Sequence, residues 1–528
     1  MFRFLVIILF SLLFNNVCAQ KWEHALYIEN HTEGRDIIES YDKGSLLLSL
    51  TYNTNNESST FLTKYDINGD EIWSKKIGNL EDRIYSNTLK ILADGSILIA
   101  GGENKLSNTT SSFLIKLNAC GDLDWLKIIG DSSGDDFISD ILIAHDGNIL
   151  VQASYLGDEI ISVLKINLEG KTLWQKDFFP LLLGGGQDYD PEIGKYHSSW
   201  VDAMINTVDG GIALSGTIYI TYLLDSSLVE LKSFIMKLNS EGVREWVYVH
   251  GASLPGHRTD SEDLIEVSDG YVVFGAKRFN ANPQSNIRSH LYKVDKNGAL
   301  LWEKEQTDTI MKTVGFGIEA FDDGTFALMT HAYTGEEIPG TNYDSWVKVY
   351  KTDTFGNVLD SAVYGKGADK NTKTLSMSKT SDNKILLAGF QDSALNRSSY
   401  ALRILPDLSI DTFTNEVLNY DTLCSHSITD SFIAFDTALS IINVGKIQYE
   451  LKVYPNPTQN ELFFEINTTE NLEYSLQLYS SLGSLVYKQE NITNNLLKVN
   501  VVDLSSGLYY YTINYKGSLV GNGKFVKE

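Results

Sequence analysis

Cysteine and proline are scarce in this chain of 528 residues, with 3 and 8 copies. Cys18 belongs to an apolar N-terminal segment, so only Cys120 and Cys424 would remain after its removal. Two cysteines allow a single disulfide in an oxidising compartment, but nothing in their positions supports one, and no cysteine–histidine cluster has metal-site spacing. The small number of prolines argues against long disordered linkers.

Basic residues are also fewer than acidic residues. The chain has 43 Lys and Arg against 68 Asp and Glu, a net charge of −25 and a pI of about 4.8. This charge disfavours nucleic acid and anionic membrane surfaces as partners, because nothing offsets repulsion from phosphates. Two interpretations remain: the solubility of an exported protein, which we prefer, and an acidic binding face.

Long apolar runs are missing except at residues 4–14, a segment too short to span a bilayer. Arg3 precedes this run and Val17-Cys18-Ala19 follow it, an arrangement typical of a signal peptide. We predict that residues 1–19 are removed before Gln20 and that no segment spans the membrane. Asn15-Asn16-Val17 lacks the leucine and small residues of a lipobox, which argues against lipid attachment at Cys18.

Recognisable catalytic motifs are missing as well. The chain has no Gly-x-Ser-x-Gly elbow, no His-Glu-x-x-His pair and no phosphate-binding loop. Residues 66–70, Asp-Ile-Asn-Gly-Asp, resemble part of a calcium loop but lack its downstream bidentate glutamate. We therefore predict no catalytic residue, no metal and no cofactor, and favour a protein that is not an enzyme.

Aromatic residues and glycine are plentiful, with 28 Tyr, 23 Phe, 8 Trp and 41 Gly, which favours turn-rich β-structure. The chain also repeats itself. One repeated element is an Asp-Gly turn before an apolar run, which recurs every 52 to 63 residues from Asp42 to a degraded copy at Asp382. The other has the pattern Lys, apolar, Asp or Asn, two residues, Gly, three residues, Trp. Its clear copies end at Trp73, Trp125, Trp174, Trp246 and Trp302.

Each unit is predicted to contain four strands, A to D, with the Trp at the start of strand A. In the second unit, these strands are residues 73–77, 85–92, 96–100 and 112–118. The Asp-Gly turn joins B to C, because a two-residue hairpin turn needs φ > 0. Seven such units predict an all-β protein with a seven-bladed β-propeller at residues 20–405, since radial closure protects the sheet edges. A strand at Trp22 is predicted to pair with strands in residues 400–405 and close the ring, and the recurrent Trp to lock neighbouring sheets.

This repeat resembles the secreted β-propeller repeats found beside certain C-terminal sorting domains. More distantly, it resembles the tryptophan-docking repeats of quinoprotein dehydrogenases and outer-membrane assembly propellers. The resemblance implies a fold and no activity, since such folds host many unrelated functions. A quinoprotein would also need the family's adjacent cysteine pair, which is absent here.

The C-terminal region divides into two predicted parts. Residues 406–450 fit neither repeated pattern and are predicted to be a linker or spacer, with two strands at 425–435 and 441–444. Residues 451–528 contain short alternating runs separated by turn residues, which predict a small Ig-like antiparallel β-sandwich.

Several short blocks of this last part resemble, in order and spacing, a type A sorting domain of the type IX secretion system. The residues that carry the resemblance are Tyr454, Pro455, Asn456, Pro457, Gly483, Gly507, Tyr509 and Lys524. The resemblance implies that the type IX machinery of a Bacteroidota-type cell is a partner. It also implies delivery of the chain outside the cell or to its outer surface.

Strand alternation sorts the loops of the predicted propeller by face. The Asp-Gly and Asp-x-x-Gly turns share one face, and the long insertions share the other, which we call the insertion face. The insertions are residues 180–199, 219–231, 251–262, 277–289 and 333–344. Because loops on a rigid scaffold often carry function, we predict binding there, although loops can also lengthen where nothing forbids it. The predicted binding residues combine aromatic platforms with polar groups, as sugar recognition requires: Asp188, Tyr189, Tyr196, His197, Trp200, His257, Arg258, Asp260 and Arg288.

We therefore predict an exported or cell-surface propeller that is a non-catalytic binding module for glycan or protein partners. The alternatives are a carbohydrate-active enzyme with paired carboxylates on the insertion face and a structural adhesin. One pattern argues against catalysis, namely an aspartate before strand B in successive units, which indicates turn caps. These aspartates are Asp36, Asp82, Asp136, Asp202 and Asp263.

Overall fold

A computed structural model describes residues 20–528 with short gaps. The gaps are residues 27–30, 56, 105–109, 131–134, 157–160, 179–188, 191–194, 223–224, 252–257, 279–286, 307–311, 334–344, 366–370, 393–396, 415, 436–440, 444–448, 469–473, 481–484, 494–495 and 516–517. The regular structure of the described residues is β-strand throughout, apart from one 3-10 turn at Leu80–Asp82. The prediction of an all-β chain is confirmed.

The strands form seven successive four-stranded units among the described residues, which we call blades 1 to 7. The first strand of the described residues is β1 (Glu23–Leu26). Blades 1 to 3 contain β2 (His31–Glu39), β3 (Ser45–Tyr52), β4 (Ser58–Tyr65), β5 (Glu71–Ile77); β6 (Ile84–Ile91), β7 (Ile97–Asn104), β8 (Thr110–Leu117), β9 (Leu123–Gly130); and β10 (Asp135–Ile143), β11 (Ile149–Leu156), β12 (Ile161–Ile166), β13 (Thr172–Phe178).

The remaining blades follow the same plan. Blade 4 begins with a short extra strand, β14 (Tyr189–Asp190), followed by β15 (Lys195–Asn206), β16 (Ile212–Tyr222), β17 (Asp225–Leu238) and β18 (Arg244–His250). Blades 5 to 7 contain β19 (Arg258–Val267), β20 (Gly270–Arg278), β21 (Ile287–Asp295), β22 (Leu300–Glu305); β23 (Lys312–Ala320), β24 (Phe326–Tyr333), β25 (Ser345–Thr352), β26 (Val358–Tyr364); and β27 (Asn371–Lys379), β28 (Ile385–Asp392), β29 (Arg397–Ile404).

The blades close into a ring. The first strands of the seven blades contact one another in order, and β27 of blade 7 contacts β2 of blade 1. Strand β1 supplies the fourth strand of blade 7 by pairing antiparallel with β29, with Glu23 opposite Leu402. The predicted closure of the ring by the strand at Trp22 is thus confirmed. Because the two ends of the repeat region share one sheet, the ring cannot open without breaking this pairing.

The structure corrects the predicted composition of a blade. Strand A, which begins near the recurrent Trp, is the outer fourth strand of the preceding blade rather than the first strand of its own unit. Trp73, for example, lies in β5, which pairs with β4 of blade 1. The physical reason is the tight turn at residues 66–70, which joins β4 and β5 as a hairpin and so keeps both strands in one sheet.

The recurrent tryptophans connect neighbouring blades, as predicted. The indole N–H of Trp125 in blade 2 donates to the carbonyl of Leu168 in blade 3, at 3.0 Å. Trp246 in blade 4 donates in the same way to Lys296 in blade 5, at 3.0 Å. The partner turn needs glycine, because Gly298 has φ +83° and a Cβ there would lie 2.7 Å from the Trp246 ring.

Residues 406–450, for which we expected a linker or spacer, pair with the propeller. Two short strands form as predicted, β30 (Ser431–Ile433) and β31 (Ile441–Asn443), but each adds a parallel fifth strand to a blade, β30 beside β5 and β31 beside β9. A disulfide joins Cys120, in the turn after β8, to Cys424. The segment is therefore fastened to blades 1 and 2 by both pairing and a covalent link.

The C-terminal region forms two sheets around its own core. One sheet contains β32 (Tyr449–Tyr454), β33 (Glu461–Thr468) and β36 (Leu496–Asn500). The other contains β34 (Tyr474–Ser480), β35 (Leu485–Ile492), β37 (Gly507–Tyr515) and β38 (Ser518–Lys527). Leu462, Phe464, Leu476 and Phe525 are among the buried side chains between them. Across the described residues, we find no helix with the length and apolar character needed to cross a bilayer.

Candidate functional site

The first strand of every blade carries a β-bulge at the same place. In each of the seven, the pairing register shifts by one residue near the middle of the strand. The residues at the bulge are Arg35, Asn87, Ser139, Asp202, Glu262, Phe316 and Leu375, which we call the bulge ring. Bulges re-aim side chains and are frequent at functional sites. The residues that precede each bulge lead towards the insertion face.

The residue after the bulge joins adjacent blades in three cases. Asp36 accepts from the backbone N–H of Leu89 in blade 2 at 2.8 Å, Asp140 from Met204 in blade 4 at 3.0 Å, and Asp263 from Ile318 in blade 6 at 2.9 Å. These aspartates replace hydrogen bonds that water would otherwise supply to buried backbone. Their role is structural.

The five aspartates interpreted as equivalent turn caps occupy unlike positions, which is a correction. Asp36 and Asp263 follow a bulge within a strand, whereas Asp202 lies at a bulge. Asp82 lies in the 3-10 turn and accepts from the N–H of Asn79 at 2.6 Å. The side chain of Asp136 lies outside the described residues. Similar spacing of these aspartates in the sequence therefore does not correspond to equivalent positions in the blades.

Three carboxylates converge where blades 4 and 5 meet in the bulge ring. Asp202 accepts from the hydroxyls of Ser261 at 3.2 Å and Thr217 at 3.4 Å. Asp260 accepts from the backbone N–H of Ala276 at 2.9 Å, and Glu262 lies two residues further along β19. We call Asp202, Asp260 and Glu262 the carboxylate trio.

Burial raises the pKa values of all three carboxyls of the trio. Burial raises the pKa of Asp202 and of Glu262 well above the ordinary range; the charge of Asp260 raises that of Asp202 further, and the charges of Asp202 and Asp260 raise that of Glu262 further. Burial also raises the pKa of Asp260, although Arg278 and Arg258 oppose that rise. A carboxyl group that keeps its proton near neutral pH can donate a hydrogen bond as well as accept one.

An exposed aromatic ring borders the trio. Trp200 is 38 % exposed and lies two residues before Asp202 on β15. A side-chain hydrogen bond links Trp200 to Asp202, and the ring lies 6.4 Å from that of Tyr219 at a tilt of 39°. A large apolar surface thus lies directly beside groups that donate and accept hydrogen bonds.

The structure brings some of the nine predicted binding residues together and separates others. Asp260 belongs to the trio, and Trp200 and Arg258 lie beside it. Arg288 lies apart, on the third strand of blade 5, where it pairs with Glu305 at 3.2 Å. Asp188 and His257 lie outside the described residues, as do the side chains of Tyr189, Tyr196 and His197, whose backbones belong to β14 and β15.

Sequence reasoning missed a second charged group, on the opposite side of the ring. Arg397 pairs with Asp392 through two nitrogens, at 2.6 and 3.0 Å, and with Glu33. Tyr52 donates to Glu33 at 3.0 Å, and burial beside Glu33 raises the pKa of Tyr52 to about 12. Because these groups satisfy one another, the cluster is better suited to stabilising blades 7 and 1 than to binding. No repeated motif marks its residues in the sequence.

Further charged groups lie deeper along the first strands. Lys90 lies 4.0 Å from Asp140, and attraction by Asp140, Asp36 and Asp263 raises its pKa although burial lowers it. Burial raises the pKa of Asp263 to about 7 and that of Glu319 to about 7. Towards the Asp-Gly face, a cavity of about 20 Å³ lined by Glu39, Lys43 and Arg403 has room for about one water molecule.

The sorting-motif residues meet at one edge of the C-terminal sandwich. The Asn456 side chain donates to the carbonyl of Lys524 at 3.2 Å and accepts from the N–H of Val526 at 2.9 Å. Tyr509, two residues after Gly507, donates to the carbonyl of Ser505 at 2.8 Å. Tyr454 ends β32 just before Pro455 and Pro457. Gly483 lies outside the described residues.

Two family comparisons match parts of the chain. Residues 452–528 match the secretion system C-terminal sorting domain, and residues 92–124 match a β-propeller domain of unknown function, DUF5122. The second match covers the Asp-Gly turn at Asp94 and ends one residue before Trp125. No curated protein matches the chain.

Several solved structures match the chain at low identity. Drosophila Plexin A in complex with Semaphorin 1b matches at 9 % identity and a TM-score of 0.38, over 72 % of this chain and 87 % of that one. A protein of unknown function from Dyadobacter fermentans matches at 12 % identity and 0.37, over 72 % and 97 %. The β-propeller domain of the Trilobed protease from Pyrococcus furiosus matches at 10 % identity and 0.33, over 78 % and 98 %.

Proposed function

From the premise that this chain is an exported β-propeller protein of the Bacteroidota type with a C-terminal secretion sorting domain, we propose that its propeller is a non-catalytic glycan-binding module. The observation that carries the proposal is the exposed Trp200 beside the carboxylate trio. A sugar ring has an apolar face that stacks on an indole and a rim of hydroxyls that exchange hydrogen bonds with carboxylates. Arg258 adds donors at the same place.

The route of export that we propose has two steps. Residues 1–19 act as a signal peptide, and the type IX machinery then recognises residues 451–528. Asn456 supports this assignment, because it ties the Tyr-Pro-Asn-Pro block to the terminal strand and so forms one continuous surface from distant parts of the sequence. We propose residues 20–405 as the propeller domain, with residues 406–450 attached to it.

Replacing Trp200 with alanine is expected to weaken glycan binding by about tenfold or more, which corresponds to about 1.4 kcal/mol, because the stacking platform is lost. A glycan and polysaccharide array probed with the mature full chain would identify the ligand, and titration calorimetry would measure its affinity. Phe355→Ala is the matched control, since Phe355 is 63 % exposed in the turn after β25, on the other face. Equal binding by the Trp200→Ala variant and the wild type would contradict the proposed site.

A carbohydrate-active enzyme is a second candidate, favoured by the raised pKa values of Asp202 and Glu262. Two coupled carboxyls in unlike environments can divide into an acid and a base. Product release in the same array wells, abolished by Glu262→Gln without loss of binding, would establish hydrolysis instead. Binding of proteins but of no glycan would favour a structural adhesin.

A further inference from the structure

Two histidines and a glutamate from three strands converge on the insertion-face side of blades 4 and 5. His250 ends β18, His290 lies in β21 and Glu303 lies in β22. The Nε2 atom of His250 lies 3.1 Å from Oε2 of Glu303, and the Nε2 atom of His290 lies 3.3 Å from the same oxygen. Their ligand atoms all lie within 4.8 Å of one another.

The two distances from the histidine nitrogens to the glutamate oxygen match the edges of a tetrahedral zinc site. Zn²⁺ binds imidazole nitrogen and carboxylate oxygen at about 2.0–2.2 Å, so two ligand atoms of a tetrahedron are about 3.3 Å apart. The same geometry places the centroids of two ligating imidazoles about 5 Å apart. The observed centroids of His250 and His290 are 5.0 Å apart, with planes inclined by 18°.

The surroundings hold the ligands in place. His290 is 1 % exposed and His250 is 6 % exposed, whereas Glu303 is 48 % exposed on its side chain and leaves the site accessible. The Nδ1 atom of His250 lies 3.2 Å from the hydroxyl of Tyr248, and its ring stacks on Tyr292 at 4.3 Å. A hydrogen bond to the other ring nitrogen is the usual way in which a metal-ligating histidine is oriented.

One cation lies close to the cluster. Lys277 Nζ is 3.7 Å from Oε2 of Glu303, but it lies nearer to Glu305, at 3.3 Å from Oε1. Glu305 can therefore hold Lys277 while Glu303 ligates a metal. Arg288 Nη1 also pairs with Glu305, at 3.2 Å, so the two carboxylates and the two cations balance, and the charge that a divalent ion would meet is that of Glu303 itself.

We propose that His250, His290 and Glu303 form a zinc site that bridges blades 4 and 5 on the insertion face. Imidazole and carboxylate together suit Zn²⁺ among divalent ions, and three protein ligands leave a fourth position for water or for an oxygen of a bound molecule. The site is separate from the carboxylate trio. Sequence spacing gave no sign of it, because its ligands come from residues 250, 290 and 303 on three strands.

The test is titration of the mature full chain, first dialysed against EDTA, with zinc chloride in a calorimeter. The wild type is expected to bind one zinc ion per chain. Glu303→Gln is expected to weaken this binding by about 100-fold or more, since loss of an outer-shell partner alone costs about 10- to 100-fold. The glutamine keeps the size of the glutamate and accepts a hydrogen bond, so the fold of this half-exposed position is retained.

Two further variants make the test specific. His250→Gln is expected to behave like Glu303→Gln, whereas His31→Gln, which alters a half-buried histidine at the start of β2, is expected to bind zinc like the wild type. Cobalt-substituted wild type is expected to show the visible absorption of a tetrahedral nitrogen and oxygen site. No one-to-one binding by the wild type, or equal binding by Glu303→Gln, would overturn the proposal. Glu303 would then serve only as a hydrogen-bond acceptor for both rings.

Discussion

Replacing Cys120 and Cys424 together with serine is expected to lower the free energy of unfolding by about 2–5 kcal/mol. The disulfide joins residues 304 positions apart, so it restrains the unfolded chain strongly, and loop-closure entropy grows with loop length. Thermal and urea unfolding of the mature chain would measure the change. Dithiothreitol should shift the wild type by a similar amount and leave the double variant unchanged. Identical transitions in all four samples would contradict the prediction.

The contacts of the 406–450 segment indicate which part of the structure would open first without the disulfide. Asp421 accepts from the indole of Trp73 at 3.0 Å and lies 3.5 Å from the ammonium of Lys64, which is itself buried beside Asp42. Strand β30 then pairs along β5. Ile433 of this strand is buried in the core shared by blades 1 and 2, but the strand lies at the edge of its sheet and pairs over only three residues, so we expect the covalent link to help keep the segment in place. Hydrogen exchange at Ser431–Ile433 is therefore expected to increase before the blades themselves open.

Local motifs in the sequence were sufficient to predict the repeated four-stranded architecture. An Asp-Gly pair favours a tight turn, and the Trp125 and Trp246 indoles that follow such turns each bond to the next blade. The assignment of the Trp strand to the wrong blade followed from treating the repeat as a unit of sequence. The turn at residues 66–70 already required strands β4 and β5 to share a sheet.

The candidate sites were less accessible to sequence reasoning. The bulge ring contains seven different residue types, from Arg35 to Leu375, because a bulge is defined by backbone pairing and leaves the side chain unspecified. Trp200 and Asp260 were identified because they lie near long insertions. Asp202 was interpreted as a turn cap. Contacts between distant parts of the chain, such as the disulfide between Cys120 and Cys424, depend on the complete fold and have no local signature.

The buried carboxyl groups of Asp263 and Glu319 are expected to have a second large effect, which is to make stability depend on pH. Asp263 and Glu319 have folded-state pKa values of about 7, above the ordinary values of 3.8 and 4.5. The folded state therefore keeps protons that the unfolded state releases. The free energy of unfolding that these two groups contribute is greatest below about pH 4. It decreases as the pH rises from about 4 to about 7 and does not change further above that. The upper limit of this loss is about 4 kcal/mol for Asp263, reduced by water and by Lys90 nearby.

Buried histidines act in the opposite direction over the same range. Burial lowers the pKa of His331 to about 3, so the unfolded state gains a proton as the pH falls below about 6.5 while the folded state does not. The stability contributed by His331 is lost in acid, whereas that of Asp263 is lost towards neutral pH. The pH dependence of wild-type stability thus combines two opposite contributions. Comparison with single variants separates the contribution of the carboxyls from that of the histidine.

Glu319→Gln is therefore expected to gain stability relative to the wild type as the pH rises from 4.5 to 8, by on the order of 1–3 kcal/mol after allowance for solvent. Asp263→Asn should show the same slope from a lower starting level, because an amide cannot accept from both Leu264 and Ile318. Urea unfolding at a series of pH values would measure the difference. Asp209→Asn is the control: the pKa of Asp209 is lowered to about 2, so its contribution is constant above pH 4.5. A flat difference for Glu319→Gln would mean that this carboxyl is already ionised in the folded ring at low pH.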